Sequence, residues 1–185
     1  MALSMSIPDA VIEDIARQVG RRLPPDLVPM AGVLSIAETF ELWNVSNAGA
    51  HDLPRAITTS GAFHHQIWAA ERPIAFARSR RRSGDPEMLD VTQVFVSPLA
   101  RDLADAIEFA DQNEPLKSNT SVARLVRASG LQLTALLFGN DSTSPVLVVA
   151  APAANTLLRR GTLIEGKTFM DQLRLERPIE GRKQA

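Results

Sequence analysis

The sequence predicts an α+β domain: a mainly antiparallel sheet of about five to seven strands, an N-terminal helix, a central helix over 98–111 and a short C-terminal helix. Three observations lead there. Strand-like runs follow one another through short turns, helical periodicity returns only at irregular intervals, and no regular β-α-β alternation runs along the chain. The 185 residues, 45% hydrophobic and 22% charged, have the composition of one globular domain, placed at 1–178 with a solvated tail at 179–185.

The first helix covers 7–23. Ser6 can cap it, Pro8 sits in its first turn, and Asp9 stands three residues after the cap, as in a capping box. Val11, Ile12, Ile15 and Val19 make one apolar stripe that docks on the domain, with a homodimer contact as the other use. "LPPDLVP" ends the helix. Phe40 and Leu42 alternate with Thr39, Glu41 and Trp43, which gives a strand at 38–45, and "NAGAHDLPRAITTSG" reads as a loop.

"FHHQIWA" and "PIAFARS" then form a hairpin joined at "AERP", and "LDVTQVFV" (89–96) adds a β-branched strand. Ser97 and Pro98, as N-cap and first residue, open helix 98–111. Leu99, Leu103, Ile107 and Ala110 share its apolar face; Asp102, Asp105, Glu108 and Asp111 point away. "SVARLVRASGLQLTALLFGN" reads as a long strand broken by a bulge or turn at Gly130. "VLVVAAP" (146–152) reads as a strand covered on both faces. A short helix after Asn155, the segment "TLIEG", and a last helix after Thr168 carrying Phe169, Met170 and Leu173 complete the chain.

Composition narrows the function classes. Lys plus Arg is 20 and Asp plus Glu is 21, a net charge of -1, so the basic excess of a dedicated nucleic-acid binder is missing. With no cysteine, thiolate chemistry, disulfides and zinc fingers are excluded. No G-x-G-x-x-G, Walker A or G-x-S-x-G motif occurs, and no cofactor or metal is expected. Adjacent His64 and His65 point to opposite faces of a strand and cannot readily chelate one ion. The start, "MALSMSIPDAVIEDIARQ", lacks a signal-peptide pattern, and "PVLVVAAPAA" is short of the roughly 20 residues a membrane helix needs. Cytoplasmic localisation is expected. Abundant Arg and Ala with scarce Lys fit a GC-rich bacterial genome.

The candidate site lies in "AFARSRRRSGD" (75–85). A turn at Glu71-Arg72 would set Ile67 opposite Phe76, His65 opposite Arg78 and Phe63 opposite Arg80, and leave Trp68, Gln66 and His64 facing small residues. Arg80, Arg81 and Arg82 then form the solvated exit of the hairpin, with Asp85 and Glu87 as partners. Arg78 follows Phe76 on a half-apolar face, where its planar fork suits a carboxylate or phosphate, or a structural salt bridge. His65 could add a donor or a base. Arg78, His65, Phe76 and Trp68 are the candidate ligand-binding residues.

"IWAAERPIAFARS" resembles the hairpin of chorismate lyases and of the related ligand-binding domain of GntR-type regulators, where a strand, a short turn and a "PxxxxR" strand line an anion pocket. The resemblance covers residues 67–79 and implies that Arg78 stands at the family's carboxylate-binding arginine. The chain departs from the pattern in placing helix 98–111 after a third strand, and no catalytic glutamate matches. The expected function is a non-catalytic module that binds a protein partner or a small anionic ligand, with nucleic acid and membrane as unlikely partners. The alternative is a small lyase or hydrolase that holds an anionic substrate on Arg78 and moves protons through His65 or Glu71.

Overall fold

In the computed structural model, which describes residues 4–27, 34–46, 50, 52–113, 116, 122–128, 132–139, 145–152 and 158–175, the chain begins with helix α1 (Asp9–Gly20). Strand β1 (Leu34–Val45), a four-residue helix α2 (Leu53–Ala56) and strands β2 (Ile57–Ala69), β3 (Arg72–Arg82) and β4 (Asp85–Phe95) follow. Helix α3 (Leu99–Gln112) leads to β5 (Arg124–Ala128), β6 (Leu133–Phe138), β7 (Val146–Ala151), β8 (Leu163–Glu165) and helix α4 (Gly166–Leu175). The eight strands make one sheet in the order β4-β3-β2-β1-β5-β6-β7-β8.

Every neighbouring pair is antiparallel except β1 and β5, which run parallel at the centre. The sheet is thus mixed and has eight strands, more than the pattern suggested. The apolar run around Gly130 is two paired strands, β5 and β6, and "TLIEG" supplies β8. The turn between β5 and β6, the helix after Asn155 and the tail at 179–185 lie outside the described residues.

β4 ends at one edge while β5 starts in the middle, so α3 carries the chain across one face. Leu103, Ala106, Ile107 and Ala110 of α3 pack there on Phe40, Leu42, Leu125, Leu136, Phe138 and Val148. The opposite face is covered in two parts. Val11, Ile15 and Val19 of α1 lie over Phe63, Ile67, Ala75, Ala77, Leu89 and Val91. Leu53 of α2 and Phe169, Met170 and Leu173 of α4 lie over Val126, Ala135, Leu137, Leu147 and Val149.

Local chemistry explains where elements start. Helix α1 begins at Asp9 after an extended Pro8 (φ −58°, ψ 141°), with no side-chain cap. Ser6 does not cap it, because the residue before a proline is driven out of the helical region. Asp52 caps α2 by accepting from the Arg55 amide, which shortens the expected loop. In β2, Gly61 at φ +65° allows an irregularity beside Leu42, where the Ser60 hydroxyl donates to the Leu42 carbonyl at 2.6 Å.

Midway along the β4 edge, one side chain of α1 takes the place of a neighbouring strand. Gln18 donates through Nε2 to the Leu89 carbonyl at 2.9 Å and accepts from the Val91 amide at 2.8 Å. Among the described residues no helix is long and apolar enough to cross a membrane.

Candidate functional site

The hairpin turn falls one residue earlier than expected, at Ala70-Glu71, with Ala70 in the left-handed region (φ 53°). A register shift between Ile67 and Trp68 follows. Together they place His64 opposite Arg78, Gln66 opposite Phe76 and His65 opposite Ala77. The anticipated pairing of His65 with Arg78 is therefore corrected by one residue, and in a strand one residue means the other face.

His65 lies on the α1 side, fully buried, in a chain of three side chains across three strands. Its Nδ1 is 2.8 Å from Thr39 Oγ1 and its Nε2 is 2.6 Å from Ser79 Oγ. Burial pushes its pKa down to about 4, so the ring is neutral at physiological pH. The order hydroxyl–imidazole–hydroxyl resembles a nucleophile–base pair, but Thr39, His65 and Ser79 are all buried beneath α1. Its role is to satisfy its own buried groups and tie β1, β2 and β3 together.

Arg78 lies on the α3 side, among aromatic rings. His64, Phe76 and Phe95 stack in a row with centroid separations of 4.6 and 4.8 Å, and the Arg78 guanidinium sits 4.9 Å from the Phe95 centroid and 5.8 Å from that of Phe76. Phe76 is thus a buried wall of the site. The structural salt bridge open to Arg78 does not form: among the described residues it has no carboxylate partner, and its buried Nε has no acceptor.

A second arginine joins it. Arg127 on β5 shares the face of Leu125, which is the α3 face, and also has no carboxylate partner among the described residues. Burial lowers the pKa of both guanidiniums, and the charge of Arg127 lowers that of Arg78 further. Burial first, then the neighbouring charges of His65, Arg78 and Arg127, push His64 down to about 3, against a weak 3.5 Å contact with Gln66 Oε1. Gln66 in turn donates to the Ala100 carbonyl and so fixes the start of α3 against the strand. The result is two uncompensated cations beside a neutral imidazole and a stacked aromatic row, which is chemistry for holding an anion.

The other arginines of the cluster separate. Arg82 is partly exposed but tied to the fold: it pairs with Asp14 of α1 at 2.9 Å and Asp90 of β4 at 2.7 Å, in place of the anticipated Asp85 and Glu87. Arg81 donates to the Pro86 carbonyl and lies over Phe63, and Arg80 is exposed. Trp68 donates to Glu38 at 3.3 Å and lines an acidic groove against α3 with Glu71, Asp105 and Glu108, apart from Arg78. Among the described residues no group of three His, Asp or Glu could hold a metal ion.

Strand alternation marks Arg78 and Phe76, gives no sign that Arg127 joins them, and puts His64 on the face away from Arg78, whereas the bulge brings it opposite. Alternation in "RLVRA" does put Arg127 on the side of Leu125. Which side that is depends on the parallel β1–β5 pairing, and no local signal carries that. No family of known proteins, no curated protein and no solved structure matches this chain.

Proposed function

We propose that the chain is a non-catalytic, intracellular binding module that holds a small anionic ligand, a carboxylate or phosphate, between Arg78 and Arg127. One observation carries the reading: two half-buried guanidiniums on one face have no carboxylate partner among the described residues, and one of them has a buried N–H without an acceptor. Uncompensated buried charge is costly, and an anion relieves that cost. Half-burial favours a small ligand over a flat protein partner.

Catalysis has less support. The lyase or hydrolase reading relied on Arg78 and His65 acting together, and they occupy opposite faces. His64, the imidazole on the Arg78 side, is held neutral by burial and is a poor base near pH 7. Nucleic-acid binding loses the cluster that suggested it, because Arg81 and Arg82 are engaged within the fold.

Calorimetric titration of the full chain with inorganic phosphate and citrate tests the reading. Arg78→Gln and Arg127→Gln should each weaken binding by roughly tenfold or more, at unchanged or raised thermal stability. Unaltered binding in both variants, or no binding by the parent protein, would falsify it.

A further inference from the structure

A second pair of unpartnered donors lies on the other face of the sheet, outside the site just described. Trp43 pairs with Val126 across β1 and β5, and Arg124 pairs with Leu137 across β5 and β6, which puts both side chains on the α4 side. The Arg124 guanidinium lies 4.8 Å from the Trp43 ring centroid, so the ring holds the cation in place. Trp43 Nε1 is buried and donates to nothing, and Arg124 has no carboxylate partner among the described residues. Buried indole N–H groups usually find an acceptor, and an orphaned one is costly.

Both residues line a cavity of about 250 Å³ whose remaining walls include Leu53, Ile57, Leu137 and Pro145. The volume falls below the ~300–1,000 Å³ of pockets for drug-sized ligands. Two of the walls are set by α4. The Gly166 amide donates to the Pro145 carbonyl at 2.8 Å, and a Cβ on Gly166 would stand 2.8 Å from Pro145 Cγ and 3.4 Å from Leu53 Cβ. Only glycine permits that approach, so the cavity's width depends on it.

We propose that Trp43 and Arg124 form a second ligand site, which takes the carboxylate of a small monoacid with a compact apolar body. The guanidinium supplies one charge and two parallel donors, the indole supplies a third donor, and the aliphatic walls enclose the hydrocarbon part. One cation matches one carboxylate, unlike the Arg78–Arg127 pair on the opposite face.

The test is titration of the ¹⁵N-labelled full chain with benzoate and with its neutral isostere benzamide, read at the indole N–H signals of the two tryptophans. Benzoate should shift one of the two saturably; that signal should vanish in Trp43→Phe, and benzamide should bind at least tenfold more weakly. Arg124→Gln should lower the benzoate affinity by a similar factor, and Arg78→Gln should leave it unchanged. Equal binding of benzoate and benzamide, movement of the Trp68 signal instead, or no shift at all would overturn the proposal. The first comparison uses the unsubstituted protein, so it decides the matter even if Arg124→Gln fails to fold.

Discussion

The two wings of the sheet are built alike, each of four antiparallel strands, yet they are packed by different means. Beyond β5, whose Arg124 and Arg127 lie at the central seam, the second wing is almost wholly apolar: every residue of β6 is buried, Thr134 alone among them being polar, and β7 gives Leu147 and Val149 to one core and Val148 and Ala150 to the other. In β1–β4 both faces carry buried polar groups, Thr39, His65 and Ser79 beneath α1 and His64 and Gln66 on the side of α3. An apolar wing is stabilised in proportion to area withdrawn from water, at about 25 cal/mol per Å². A polar one depends on each partner being present, since a lone buried donor or charge costs more than its bond returns. The groups that a ligand could satisfy therefore concentrate in β1–β4 and at the central seam.

Acid should expose this difference most strongly. Burial holds the folded-state pKa of His65 at about 4 and of His64 at about 3, both below the ordinary 6.5. The unfolded chain then takes up protons first as pH falls below 6.5. Stability is complete above that value and declines through the window down to about 4 and about 3, at up to about 1.4 kcal/mol per histidine for each pH unit. Urea unfolding at pH 7 and pH 5 measures the slope. His64→Phe, which keeps the aromatic stack, should roughly halve it, and a slope unaffected by that change would sink the assignment.

A cavity in the apolar wing comes next. Phe138→Ala removes a fully buried ring between α3 and the sheet and should cost about 3–5 kcal/mol. Ser79→Ala in the polar wing deletes only one oxygen, yet it leaves His65 Nε2 without its partner and should cost about 1–3 kcal/mol. Were the serine variant as stable as the parent, the three-residue chain would not be what holds β1–β3 together.

The smallest effect concerns the edge. Gln18→Ala frees the Leu89 carbonyl and the Val91 amide of β4 and should cost about 1 kcal/mol. Its more visible consequence should be association that grows with protein concentration, because a bare edge can pair with another chain. Light scattering at several concentrations would show it; a strictly monomeric variant with the parent's stability would mean the edge is protected by its charges alone.

Much of the fold could be read locally. Helix 98–111 appears as α3 over Leu99–Gln112, with Pro98 rather than Ser97 at the cap position, although the Leu99 amide does donate to Ser97 Oγ. The hairpin, "LDVTQVFV" and "VLVVAAP" all appear as strands. What could not be read was pairing. Two runs of like alternation look the same whether they meet antiparallel through a turn or parallel across a helix, so β1 beside β5 left no mark in the sequence. Register failed for a sharper reason: moving the turn by one residue changes each partner by two and keeps the face, so the bulge between Ile67 and Trp68, which no local signal marks, is what exchanges His64 for His65.

The sequence by itself determined which residues must be buried and which elements they build, because 3.6- and 2-residue periodicities act over a few residues at a time. It also singled out Arg78, whose place two residues past Phe76 follows from the pleat alone. Only the tertiary structure decided what surrounds that arginine. Arg127 reaches the same face, and Trp43 meets Arg124 on the other, through a parallel strand pair joined by some eighty residues of intervening chain. Contacts of that range are chosen by the packing of whole faces against α1, α3 and α4, a choice no short stretch of sequence records.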